Sequence, residues 1–114
     1  MSKLLALQWQ FSRQVPLLIQ KAHELGFEVV GGDWFRDSRV HGKLGVKLGY
    51  GNAFSCHKIA LAIDLNLFKN GKYLTGTEDH RPLGEWWEKQ HSLNCWGGRF
   101  GDGNHYSMTY EGVK

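Results

Sequence analysis

Cysteine, basic runs and long apolar stretches are all scarce in this chain, and each shortage removes a class of protein. Two cysteines, Cys56 and Cys95, are too few for a disulfide framework and do not stand in the C-x-x-C spacing of a thiolate metal site. They read as a pair of reduced thiols. Nothing approaches the ~20 apolar residues of a membrane span. Leu4-Leu5-Ala6-Leu7 is interrupted by Gln8 and Gln10 before reaching signal-peptide length, and no small-residue cleavage site follows. The expectation is a protein made and kept in the cytoplasm, with no stable membrane insertion. The 14 Lys and Arg are scattered among 11 Asp and Glu, so the net charge of +3 forms no phosphate-reading face. That argues against a nucleic-acid partner while leaving room for another anionic one.

Internal repeats, linkers and low-complexity stretches are also missing. With 114 residues, 41% of them hydrophobic, the chain is the size of a single domain over residues 1–114, too short for a separate binding module. Leu7, Phe11, Val15, Leu18, Ile19, Ala22 and Leu25 recur at helical spacing, and Gly26 suits the C-terminal cap. Pro16 falls inside that pattern and predicts a kink, or two helices meeting near Ser12. Residues 27–35 read as a strand with a bulge or close backbone approach at Gly31-Gly32. Residues 36–56, with Gly42, Gly45, Gly49 and Gly51, have loop composition.

The clearest strand is Ile59 to Leu67. Ile59, Leu61, Ile63, Leu65 and Leu67 share one face; Ala60, Ala62, Asp64 and Asn66 share the other. Asn70-Gly71 then predicts a tight hairpin returning through Tyr73 and Leu74. Pro82 suits a first helical turn, with Leu83, Trp86, Trp87 and Gln90 following. His105 to Tyr110 alternates as a last strand after the Asp102-Gly103-Asn104 turn.

Two of the six histidines stand where a metal could be held. Asp64 lies on a strand face with small neighbours, and a carboxylate on a central strand is costly unless paired or metal-bound. For His57 to meet Asp64 at one ion, the chain must turn before the strand proper, because seven extended residues would span ~23 Å. Ser55-Cys56-His57-Lys58 is the place for that turn. His105 follows Asp102 by three residues, so the histidine can bind while the acid reaches an open coordination position. The plainer alternatives stay open at this point. Asp64 can pair with a Lys or Arg, His57 can cap a loop, and Asp102-Gly103-Asn104 can be a surface turn.

Ser55-Cys56-His57-Lys58-Ile59-Ala60-Leu61-Ala62-Ile63-Asp64-Leu65 resembles the S-x-H-x-x-G-x-A-x-D signature of bacterial and phage zinc peptidases, a group including D-alanyl-D-alanine carboxypeptidases and dipeptidases. Trp96-Gly97-Gly98-Arg99-Phe100 and Asp102-Gly103-Asn104-His105-Tyr106 resemble the C-terminal signature of its phage endolysin branch. The likeness extends to Asp79–Trp87 and Phe35-Arg36-Asp37, in the family's order. It departs at Ala60, where the motif has glycine, a small-for-small change expected to leave the metal side open.

The resemblance implies one Zn2+ ion on His57, Asp64 and His105, with Asp102 as the acid that activates water and Arg36 steadying the oxyanion. An aspartate at 102 matches the endolysin branch, which cuts between L-alanine and D-glutamate in the wall stem peptide; D-alanyl-D-alanine carboxypeptidase activity, or a non-catalytic wall-binding zinc module, is the alternative. Ser55 and His80 are expected to buttress the site, Arg39, Lys43 and Lys47 to be solvated loop charges with contact to substrate carboxylates as the alternative, and Trp86 with Trp87 to line the core or the cleft. The implied architecture is α+β: a mainly antiparallel sheet with the long N-terminal helix on one face and the zinc cleft on the other. A monomer is expected, acting on peptidoglycan after release from the cytoplasm, an export for which the resemblance implies a holin-type pore.

Overall fold

Helix α1 runs unbroken over Lys3–Glu24 in the computed structural model, which describes residues 2–48 and 53–114. Ser2 caps it by accepting the Leu5 N–H at 3.0 Å, and Gly26, at φ 91°, turns the chain out of it. The division expected near Ser12 does not occur. Pro16 and Ser12 both lie on the exposed face, where water can satisfy the Ser12 carbonyl that proline leaves without its helical donor. The opposite stripe of Phe11, Val15, Leu18 and Ala22 is buried and keeps the helix continuous across the break in its hydrogen-bond ladder.

Strands β1 (Glu28–Gly31), β2 (Ala62–Lys69), β3 (Lys72–Tyr73), β4 (Asn94–Trp96) and β5 (His105–Met108) form one antiparallel sheet in the order β1-β2-β5-β4. Phe68 of β2 pairs with Glu28 of β1 and with Tyr73 of β3, so β3 follows β5 along the same edge of β2. The hairpin between β2 and β3 turns on Asn70 and Gly71, both with positive φ, as the Asn-Gly pair predicts. Leu61, Leu65 and Leu67 are fully buried, packing with Phe11, Leu18, Trp87, Tyr106 and Met108 in the core beneath α1 and α3 (Arg81–Gln90). At roughly 25 cal/mol per Å² of apolar area, each such side chain contributes about 1.5–3 kcal/mol by leaving water.

Three boundaries differ from the sequence reading. The strand expected over 27–35 ends at Gly31, because the chain then leaves the regular ladder to bring Trp34 and Arg36 toward residues 55–57. Gly32 nevertheless stays close: a Cβ there would meet that of Asp64 at 3.2 Å, the close approach expected of the glycine pair. The strand expected from Ile59 begins at Ala62, since Cys56–Ile59 form a 3-10 turn and Ala60 is left-handed at φ 55°. Ala60 borders a surface hollow with Gln8, Ser12, Trp34 and Phe35 and is not among the residues lining the cavity at His57. Within the expected loop lies α2, one turn over Ser38–His41 capped by Asp37; Gly49 and Gly51 of that loop lie outside the described residues.

Trp96 ties the sheet to α3. Its indole N–H donates to the Gly103 carbonyl at 2.7 Å, and its ring lies so close to Gly84 of α3 that an added Cβ would sit 2.2 Å from it. Glycine inside a helix is ordinarily worse than alanine by about 1 kcal/mol. At position 84 the sign should reverse. Gly84→Ala is expected to lower stability by about 1–3 kcal/mol through overpacking, read as a fall in the urea midpoint; a rise would show that the indole is not held there.

Candidate metal centre

The left-handed Ala60 ends the turn that folds His57 back over β2. Ser55 starts that turn, its Oγ accepting the His57 backbone N–H at 3.2 Å. The His57 ring sits 2.9 Å from the Trp34 carbonyl through Nδ1, and a carbonyl can only accept, so Nδ1 carries the proton. Nε2 is then left as a lone pair 3.0 Å from Asp64 Oδ1. Two acceptors stay at that distance only when a proton or a metal cation lies between them.

The third ligand comes from sheet register. Asp64 of β2 stands directly opposite His105 of β5, and Nδ1 of His105 is 3.7 Å from Asp64 Oδ1. Ligand atoms of His57, Asp64 and His105 all lie within 4.8 Å of one another, the one group among the described residues that can hold a metal ion. Tetrahedral ligands at zinc-like bond lengths are separated by about 3.3 Å, which the 3.0 and 3.7 Å spacings bracket. Burial alone would raise the Asp64 carboxyl, but when a proton lies between it and the imidazoles, hydrogen bonding and charge from His105 and His57 hold it at about 2. The carboxylate is thus ionised and ready to ligate throughout the neutral range.

The donor set therefore fits a cation, and one ligand has the outer contact that orients it. His57 donates its second ring N–H to Trp34, the usual support for a ligating imidazole. Nε2 of His105 is buried without a hydrogen-bond partner among the described residues. Its ring is instead fixed by packing, edge-on to Phe100 at 5.7 Å and to His57 at 5.1 Å.

Around the cluster is a cavity of about 140 Å³ whose lining includes Arg36, Ser55, Asp102 and Lys114. Asp102 Oδ2 lies 3.9 Å from His105 Nδ1 on the open side, with its side chain half exposed. Its loop is anchored at Gly97, whose carbonyl accepts the Asp102 N–H at 2.9 Å and where a Cβ would meet the Asp102 carbonyl oxygen at 2.2 Å. Arg36 is held by Asp33 Oδ2 and Ser55 Oγ, each 3.2 Å from its guanidinium. No family model matches the chain, and no curated protein matches it. Its chemistry must be read from this cavity.

Of the other residues singled out in the sequence, only Ser55 joins the site, by holding both Arg36 and the His57 backbone. His80 does not touch the ligands. It is buried at the floor of a separate hollow shared with Asp102 and Asn104, its Nδ1 meets the Tyr106 hydroxyl at 2.7 Å, and burial lowers its pKa. Arg39 is taken by Asp37 at 2.6 Å, and neither it nor Lys43 nor Lys47 lines the cavity. Trp86 borders a hollow with Leu17, Gln20, Lys21 and Glu24 between α1 and α3, while Trp87 is fully buried core. Three further residues line the cavity: Phe54, Phe100 and Lys114. Phe100 belongs to the Trp96–Phe100 motif but was given no role there, Phe54 immediately precedes the Ser55 motif, and Lys114 carries no local signal.

Zinc at a hundredfold excess over its dissociation constant should stabilise the protein by about 2.7 kcal/mol, raising the melting temperature by roughly 10 °C for a chain of this size. Asp64→Ala and His105→Ala should each abolish the rise in a thermal melt. An equal rise in both variants would place the metal elsewhere.

Proposed function

We propose that this protein is a zinc-dependent peptidase of bacterial cell-wall peptidoglycan, hydrolysing the L-Ala–D-Glu bond of the stem peptide in the manner of a phage endolysin. The observation that carries the reading is the convergence of two histidines and one carboxylate on a point whose open side faces an acid, Asp102, and a fixed guanidinium, Arg36. Three protein ligands with an open position make a catalytic arrangement; structural zinc is usually closed by four ligands rich in cysteine. Neither cysteine is offered here. The Cys56 thiol points to the carbonyls of Met108 and Val113 at 3.2 and 3.1 Å, and burial pushes its pKa up to about 12.

Zinc, when bound, supplies Lewis acidity toward water and the scissile carbonyl. Asp102 takes a proton from the attacking water as its oxygen bonds to the carbonyl carbon. Arg36 donates to the carbonyl oxygen as negative charge develops there, with Asp33 and Ser55 keeping the guanidinium from reorganising. Breaking the C–N bond requires a proton on the leaving amine, and Asp102 returns the one it took. The motif resemblance, with aspartate at position 102, supports the L-Ala–D-Glu bond as the target.

Asp102→Asn should retain zinc with the same affinity and lose about 10²–10⁴-fold in kcat. Mass spectrometry of digested peptidoglycan, with and without chelator, reads the product. New N-terminal D-glutamate that disappears with chelator is expected. Release of single D-alanine residues would mean carboxypeptidase activity instead, and chelator-insensitive cleavage would overturn the metal mechanism.

A further inference from the structure

The cavity over the metal cluster does not end at Asp102. Phe54, Phe100 and Lys114 belong both to it and to an adjoining, more open hollow of about 400 Å³ completed by Glu111, Gly112 and Val113. The two form a continuous cleft, with the ligands at its deep end and exposed phenyl rings along it. Its outer wall is a tight turn, in which Tyr110 and Val113 pair across Glu111 and Gly112, both at positive φ. That turn folds the chain back and delivers Lys114 into the cavity lined by His57 and His105.

The charges along this cleft are unevenly distributed. Arg36 is cationic but held by Asp33, and Asp102 is anionic at the inner rim. Glu111 stands on the turn itself and lines only the outer hollow. Lys114 is therefore the lining cation placed at the junction of the two hollows, on a long side chain that can adjust to a ligand. An anionic group beside the scissile bond is repelled by Asp102 and Glu111 and attracted to that junction. Both phenyl rings and Lys114 are exposed, so the attraction is that of a solvated ion pair, and its selectivity comes from the position of the ammonium.

We propose that Lys114 is a specificity determinant: its ammonium binds the free α-carboxylate of the D-glutamyl residue next to the scissile bond, so that the protein prefers stem peptides with that carboxylate over those with a carboxamide. The assignment rests on the peptidase reading above and adds the form of the substrate. It also identifies a cation that contacts substrate without touching the metal ligands. Lys114→Gln removes the charge and keeps most of the length, whereas Lys114→Arg keeps the charge.

The test uses the zinc-loaded full chain and three synthetic stem peptides: one unmodified, one amidated only at the D-glutamyl α-carboxylate, one amidated only at the C-terminus. The unmodified peptide should exceed the D-glutamyl amide about fivefold to tenfold in kcat/KM, mostly through KM. Lys114→Gln should erase the difference and Lys114→Arg restore it, with the C-terminal amide behaving as the unmodified peptide throughout. A preference that survives in Lys114→Gln, or that follows the C-terminal carboxylate, overturns the proposal while leaving the peptidase intact. Should no peptide be cut by the parent protein, the peptidase reading fails, and fluorescence anisotropy with the same labelled peptides takes over. A fivefold difference in Kd, lost in Lys114→Gln, upholds the Lys114 assignment; equal or undetectable binding overturns it.

Discussion

The antiparallel pairing of β2 with β5 sets Asp64 opposite His105, and the candidate centre depends on that register. A slip of one residue would turn Asp64 toward the core and bring Ile63 or Leu65 to the metal side. Such a slip is opposed twice. Leu61, Ile63, Leu65 and Leu67 are buried against the helices, and in the plane of the sheet the Leu65 N–H bonds the Asn104 carbonyl on one edge of β2 while the Asp64 N–H bonds that of Asp33 on the other. Hydrophobic burial thus fixes the position of a polar group that it does not touch.

The same arrangement concentrates cost. A carboxylate and two imidazoles brought together out of water are unfavourable unless a cation or proton satisfies them. Much of the surrounding structure holds them nonetheless: the Trp34 carbonyl orients His57, Ser55 ties the turn to Arg36, and Gly97 lets the Asp102 loop approach His105. Ala60 adds backbone strain, being left-handed without the freedom of glycine, at about 1–2 kcal/mol. Among the described residues, strain and uncompensated polar groups thus meet beside the group that could hold a metal, which would relieve part of the cost.

Much of the architecture was legible because its signals are local. Period-2 alternation through Leu67, the Asn70-Gly71 pair and Pro82 each specify an element within a few residues; the hairpin and α3 form where expected, and β2 forms but starts at Ala62 instead of Ile59. The convergence of His57 and Asp64 required a turn before the strand, and the turn is present; its device, a left-handed Ala60, has no compositional mark. Strand β4 was missed because three residues buried on both faces show no alternation. Pro16 does not divide the helix, because the outcome of a proline there depends on whether the orphaned carbonyl reaches water, which sequence does not display. Partners such as the Trp34 carbonyl are invisible for a similar reason, since every residue has a carbonyl. The basic residues Arg39, Lys43 and Lys47 stay off the cavity, as their reading as solvated loop charges has it, whereas the turn at Glu111-Gly112 brings a distant Lys114 to it.

X-ray absorption at the zinc edge on the reconstituted protein tests the central claim most directly. The account predicts one zinc per chain with about four nitrogen or oxygen ligands near 2.0–2.1 Å, two of them imidazoles, and no sulfur in the shell. A zinc–sulfur distance near 2.3 Å, or a shell containing fewer than two imidazoles, would contradict the assignment of His57, Asp64 and His105 as the metal centre.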